Sequence, residues 1–251
     1  MHDPNTKPEF KRFEEIINWT LPGLTMYYRD ADLPQDIIDA YERGMIIRSQ
    51  TFVDVSGFAG RPTTNCRYIF ASSKAAPMFR INPATEKWAF HTINCNSYFK
   101  VLDVHQREGV TQLLLLHIPY AGIDFFRRSA LILNEENLEQ SFVERARTSL
   151  EQKLTMDAPP ALNEPEWRER TSFPIGLDAN NNFFPLEPDQ PLFPMAAPMY
   201  RAIRKMTEDI EDLNEAPTPE TPPRPNPPAP PVDSGRRDKK SGFWSKLFGK
   251  N

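Results

Sequence analysis

Apolar and polar positions follow two different periods along this chain. Between Pro8 and Trp19, Phe10, Phe13, Ile16 and Ile17 recur at helical spacing, and Thr20-Leu-Pro-Gly23 ends the run, so a short helix is expected there. Proline suits a first helical turn, and Pro34 opens a second expected helix through Ile37, Ile38 and Tyr41 to Gly44. From there the period changes to two. Ser49 to Val55, Cys66 to Ala71, Trp88 to Ile93, Tyr98 to Val104 and Val110 to Ile118 read as strands, rich in Val, Ile, Phe, Tyr and Thr and separated by Gly, Pro and Asn clusters. His105-Gln-Arg-Glu-Gly109 joins the last two as a hairpin connection, with Gly109 free to adopt a positive φ. Mostly short connections favour an antiparallel sheet of about five strands, hence an α+β fold in which helices flank the sheet.

Asn134 has the character of an N-cap for a long helix striped by Leu138, Phe142, Ala146, Leu150 and Leu154, which Asp157-Ala-Pro-Pro160 stops. This completes an expected globular domain over residues 1–160. Residues 161–194 are proline-rich yet carry Trp167, Phe173, Ile175, Phe183, Phe184 and Phe193, too many large apolar groups for a solvated linker, so they are expected to pack as an arm. A helix over 195–215 spaces Met199, Ile203, Met206, Ile210 and Leu213 in a 4-3-4-3 pattern. That stripe suits docking on its own sheet first, and a dimer seam second. Residues 216–240 form a linker, proline-rich and then basic. Nine of the chain's 26 prolines fall between Pro217 and Pro231. Such a spacer leans to polyproline II and reaches up to roughly 60 Å.

Charge sharpens the division. From residue 236 onward, Arg236, Arg237, Lys239, Lys240, Lys246 and Lys250 stand against Asp238, a local +5, and the whole chain sums to −4, so the remainder carries −9. An acidic body argues against nucleic acid as its partner, while the basic end suits a polyanion such as an anionic membrane. Two cysteines, Cys66 and Cys95, are too few for a disulfide framework and suit a reducing compartment. The first ten residues lack the apolar stretch of a secretory signal, and no run reaches the length of a spanning helix. These features point to the cytosol, at the inner face of the cytoplasmic membrane.

Residues 241–251 have two faces. Wound as a helix, Phe243 lies over Leu247 and Trp244 over Phe248, with Ser245, Lys246 and Lys250 largely opposite; Ser241 suits the N-cap and Gly249 the C-terminal stop. Two turns do not stand alone in water, so this segment is expected to fold only against a surface or a partner's groove. Lys240-Ser-Gly-Phe-Trp-Ser-Lys-Leu-Phe-Gly-Lys250 resembles the C-terminal membrane-targeting sequences of bacterial division proteins of the MinD type, which begin Lys-Gly-Phe and end Leu-Phe-Gly, and more loosely those of the FtsA type. The resemblance implies insertion of Phe243, Trp244, Leu247 and Phe248, with the basic residues at headgroup level. It covers the tail alone. The body has no G-x-x-x-x-G-K-[ST] loop, so the nucleotide chemistry of those families does not transfer.

Candidate chemistry in the body is sparse. Cys66, His91 and Cys95 offer three soft metal ligands, but without a C-x-x-C pair ordinary half-buried sheet residues are the plainer reading. Asp103 and His105 share a strand face as an acid-base pair, with no nucleophile motif nearby. Asp178-Ala-Asn-Asn-Asn182 repeats half of a calcium loop, yet Phe183 stands where that loop needs glycine, so a turn is expected. Asp30-Ala-Asp32 has the D-x-D spacing of metal-dependent sugar transfer, but an acidic turn before the Pro34 helix is the plainer reading. With no cofactor or metal site expected, the chain reads as a non-catalytic peripheral membrane adaptor with an unknown protein partner. The alternatives are a membrane-localised enzyme of unrecognised type, or a soluble protein whose tail docks in a groove.

Overall fold

The computed structural model describes residues 8–128, 132–133, 136–187 and 194–207. The chain divides into two units, Met1–Pro217 and Thr218–Asn251, and every described residue belongs to the first. The whole tail therefore lies outside the described residues: Arg236, Arg237, Lys239, Lys240, Phe243, Trp244, Lys246, Leu247, Phe248 and Lys250, together with Ile210, Leu213, Phe193 and the expected cap Asn134.

Helix α1 spans Pro8–Thr20, close to its expected bounds, and Thr20 Oγ1 closes its end on the Ile16 carbonyl at 2.7 Å. Strand β1, Thr25–Ala31, follows. The apolar pattern did not reveal it, because Arg29 and Asp30 interrupt the alternation; inside the fold both are provided for. Arg67 grips the Asp30 carboxylate with two bonds of 2.6 and 2.7 Å, and Arg29 donates to the carbonyls of Asp54 and Phe173. Helix α2 runs only from Gln35 to Asp39, shorter than the expected Pro34 to Gly44. Gly44, at φ +92, turns the chain instead, and its N–H pairs with the Val101 carbonyl at 2.7 Å.

The expected strand Ser49–Val55 instead runs from the last residue of β2 (Ile46–Ser49) across a short connection into most of β3 (Val53–Ser56), and the two strands pair with different neighbours. There follow β4 (Cys66–Ser72), β5 (Ala75–Pro77), β6 (Phe90–Ile93), β7 (Ser97–Arg107) and β8 (Val110–Ile118). The order across the sheet is β2-β7-β8-β4-β1-β3-β6-β5. The sheet thus has eight strands rather than about five. It is antiparallel except for β4 and β8, which run parallel because the chain leaves β4, builds β5 to β7, and returns by a crossover. The β7–β8 hairpin closes between Arg107 and Val110 on two residues, Glu108 (φ +51) and Gly109 (φ +79), a tighter turn than expected.

Each face of the sheet carries a core. On one, Tyr27, Tyr68, Phe70, Phe99, Leu113 and Leu115 pack beneath Ile37 and Ile38 of α2 and beneath Ile175 and Leu177. On the other, Tyr28, Ile69, Leu102, Leu114 and Leu116 pack beneath Ile16 of α1, beneath Ile123 and Phe126 of α3 (Ile123–Arg128), and beneath Val143, Ala146 and Leu150 of α4 (Leu138–Leu154). Between α3 and α4, β9 (Ile132–Leu133) and β10 (Glu136–Asn137) pair as a two-stranded ribbon, so α4 begins after Asn137 rather than at Asn134.

The described part of the stretch expected as an arm, residues 161–187, meets the body unevenly. Trp167 lies in helix α5 (Pro165–Thr171), stacked on Trp88 with ring centres 5.5 Å apart and edge-on to Phe90, whereas Phe173 is 66% exposed. Three buried side chains hold its backbone. Arg29 reaches the Phe173 carbonyl, Tyr41 the Ile175 carbonyl at 2.7 Å, and Arg48 those of Pro185 and Glu187. Helix α6, Ala197–Thr207, buries Ile203 among Trp88, Phe90 and Trp167, with Met206 beside it and Met199 exposed. Among the described residues, no helix is long and apolar enough to cross a membrane.

Candidate functional site

The residues singled out by spacing are not assembled into sites. Cys66 and Cys95 are free and buried, and burial pushes both thiols up to about 12; no cluster of three or more metal-ligating side chains occurs among the described residues. His91 lies between the rings of Tyr27 and Phe79, with Nδ1 2.7 Å from the Ala89 carbonyl, and burial lowers its pKa. Asp103 does not pair with His105. It accepts two bonds of 2.7 Å from Arg147 of α4, while His105 is half-buried. Asp178 spends Oδ1 on the N–H groups of Asn180 and Asn182, with Asn181 at φ +63, so the half calcium loop is a turn. Asp30 and Asp32 have separate partners: Asp30 faces Arg67, and Asp32 accepts from the Asn65 N–H at 3.2 Å.

Asp30 nevertheless borders a polar cleft. Tyr28 and Asp30 of β1 form its floor and Ser56 of β3 one side; Phe58, Arg61, Thr63 and Thr64 come from the β3–β4 loop, and Asn163, Trp167 and Arg168 from the chain entering α5. The loop is drawn in at Gly60, where the turn after α4 passes too close for any side chain: a Cβ there would lie 2.4 Å from Ala158 Cα. Next to it, Arg61 donates its N–H to the Met156 carbonyl at 2.8 Å and Nε to that of Leu154 at 3.1 Å. Arg168 donates to Thr63 Oγ1 and to Asn163 Oδ1, which ties the loop to α5. The enclosed part of the cleft measures about 20 Å³, and with its open mouth the space reaches about 410 Å³.

Its electrostatics differ from those of the body at large. Arg61 and Arg168 line it, Arg67 stands 5.8 Å and Lys153 5.2 Å from the centre of the Tyr28 ring, and the carboxylates nearby are Asp30 and Asp32. Burial raises the Tyr28 hydroxyl to about 12, with Arg67 opposing the rise, so that hydroxyl stays protonated at neutral pH and is available to donate a hydrogen bond. A basic cleft with aromatic walls in an acidic body is suited to an anion that also carries a flat, apolar group. Sequence reasoning missed it because Arg61 and Arg168 stand over a hundred positions apart and neither belongs to a motif.

No family model matches the sequence, and no curated protein does. Solved structures match part of the fold at low identity. Exoenzyme S from Pseudomonas aeruginosa is 13% identical over 45% of this chain and 60% of its own, with a TM-score of 0.33. The Vis toxin, an ADP-ribosyltransferase from Vibrio splendidus, is 10% identical over 40% and 51%, at 0.32. The ADP-ribosylating toxin of a binary enterotoxin of C. perfringens is 11% identical over 46% and 38%, at 0.30. The chain thus spans less than two thirds of each. These similarities correct two expectations: the resemblance is not confined to the MinD-type and FtsA-type tails, since part of the body resembles ADP-ribosylating toxins in fold alone, and the non-catalytic membrane adaptor is not the reading that they favour.

Proposed function

We propose that the body is an ADP-ribosyltransferase-like enzyme that takes a phosphate-bearing dinucleotide at the cleft between the β3–β4 loop and α5. The observation that carries this reading is the gathering of Arg61, Arg168, Arg67 and Lys153 around Tyr28, within a body that is otherwise acidic. In it Arg61 and Arg168 hold the phosphates as charge-assisted donors, and the half-exposed ring of Phe58 offers a face for a base. Because the enclosed volume is small, the ligand lies along the open mouth. Two of the similar structures contain Carba-NAD and NADH, which makes NAD the first ligand to test. The aromatic and basic end of the chain then holds this enzyme at an anionic membrane surface.

The test is calorimetric titration of the full-length chain with NAD, beside Arg61→Ala and Arg168→Ala, followed by transfer of labelled ADP-ribose to acceptor proteins. Saturable binding that each substitution weakens about tenfold, the loss expected for one charge-assisted contact, supports the reading. Absence of NAD binding at millimolar concentration, or binding indifferent to both arginines, overturns it.

A further inference from the structure

A second cavity lies in the same core as Tyr28 but shares no lining residue with the arginine cleft, and its chemistry is different. Leu21 and Leu24 of the α1–β1 connection, Leu102 of β7, Leu116 of β8 and Phe142 of α4 line a space of about 200 Å³ that is open on one side. Polar groups stand only on the α4 side, where Glu139, Ser141 and Arg145 reach it. Leu102 is brought there by an irregularity in the sheet. The register passes from Val101 opposite Leu115 to Asp103 opposite Leu114, so Leu102 is the extra residue of a β-bulge, a device that re-aims side chains beside binding sites.

The charges at the cavity do not cancel. Glu139 is already committed, its carboxylate 2.8 Å from Lys100 Nζ with both side chains under 10% exposed. A buried pair of this kind is neutral as a unit. Arg145 is exposed and has no ion-pair partner among the described residues, which leaves one cation at the edge of an apolar hole. From this geometry we propose that the cavity binds a medium-chain carboxylate, with its hydrocarbon chain among the leucines and its carboxylate on Arg145. Volume sets the length: an apolar cavity of about 150 Å³ stays dry and admits benzene, so this one accommodates a chain of about six to eight carbons. Arg145 sets the head group. A neutral alcohol of the same length gains only the apolar contribution, and an alkylamine meets repulsion.

The experiment is titration of the full-length protein with octanoate, 1-octanol, octylamine and butanoate by calorimetry, with melting followed in parallel. Octanoate is expected to bind at one site and, at about 100 times its Kd, to raise the melting midpoint by roughly 5 to 10 °C. Arg145→Gln should weaken octanoate about tenfold and leave octanol unchanged, while Leu24→Trp, which fills the cavity, should abolish both. Should Leu24→Trp not fold, Phe142→Ala serves instead: the enlarged cavity should prefer decanoate to octanoate. Failure of octanoate to bind at millimolar concentration, or equal binding by wild type and Arg145→Gln, overturns the proposal. NAD should not compete with octanoate, so this result and that at the arginine cleft are read separately.

Discussion

Replacing Gly60 by alanine tests how the β3–β4 loop is held, and with it the wall of the arginine cleft. Its Cβ would fall 2.4 Å from both the Cα and the N of Ala158 and 2.7 Å from the carbonyl carbon of Asp157, and all of these are backbone atoms that cannot rotate aside. The loop must move away by more than an ångström. Overpacking of this kind costs about 1 to 3 kcal/mol. The displacement also strains the two bonds by which Arg61 holds the Met156 and Leu154 carbonyls, each contributing about 0.5 to 1.5 kcal/mol. A total of roughly 2 to 6 kcal/mol is expected, which lowers the melting midpoint by about 4 to 24 °C for a body of this size. Urea unfolding of the full-length chain measures it, with Gly57→Ala as the control: there a Cβ meets Ala89 Cβ at 3.3 Å, a contact that relaxes with small movements. NAD affinity should fall in Gly60→Ala under conditions where the variant stays folded. If Gly60→Ala costs no more than Gly57→Ala, the loop is not held as described and the cleft loses its rigid wall.

His117 makes stability depend on pH. It is buried with Nδ1 2.8 Å from Ser72 Oγ, and burial, together with the charge of Lys74, pushes its pKa down to about 3. The unfolded chain takes up this proton near pH 6.5 and the folded one does not. The stabilisation is therefore complete above pH 6.5 and is lost as pH falls towards 3, at up to about 1.4 kcal/mol per pH unit. Denaturation curves for His117→Gln should show a flatter acid limb; an unchanged slope refutes the assignment. Trp167→Ala removes the stack on Trp88 and the cover over Phe90 and Ile203, and should cost about 3 to 5 kcal/mol by chemical denaturation. Arg147→Ala leaves the buried Asp103 carboxylate without its main donor. Because Arg147 is itself 43% exposed, the loss should stay near 1 to 2 kcal/mol, and a double-mutant cycle with Asp103→Asn should recover a coupling of that order.

Runs that keep one apolar pattern from end to end could be read directly. Helix α1, the long helix α4 and strands β4 and β8 lie close to where the alternation of Phe, Ile, Leu and Val puts them, because each covers a core with a single face or is apolar throughout. Strand β1 was not legible, although it lies near the middle of the sheet. Its Arg29 and Asp30 look like surface residues until the carbonyls of Asp54 and Phe173 and the guanidinium of Arg67 are seen beside them. Likewise Ser49 to Val55 crosses from the end of β2 into β3, and nothing in its local pattern shows that β2 pairs with β7 while β3 pairs with β1 and β6. The same limit applied to the chemistry. Cys66, His91 and Cys95, or Asp103 and His105, are suggestive by type and spacing, but each is committed to burial or to a partner from a distant part of the chain.

The amino-acid sequence by itself determined what depends on neighbours a few positions away: the helical and strand periods, a hairpin with a positive φ at Gly109, and the contrast between an acidic body and a basic end. Only the tertiary structure decided which strands pair, and which charges are neutralised. It brought Arg61 of one loop against Arg168 of a helix a hundred residues on, and it left a cavity where a bulged Leu102 meets Phe142 and Arg145. The physical reason is common to both. A site of this kind consists of distances between groups far apart in the chain, and the burial that makes their charges matter exists only after the sheet has closed over them.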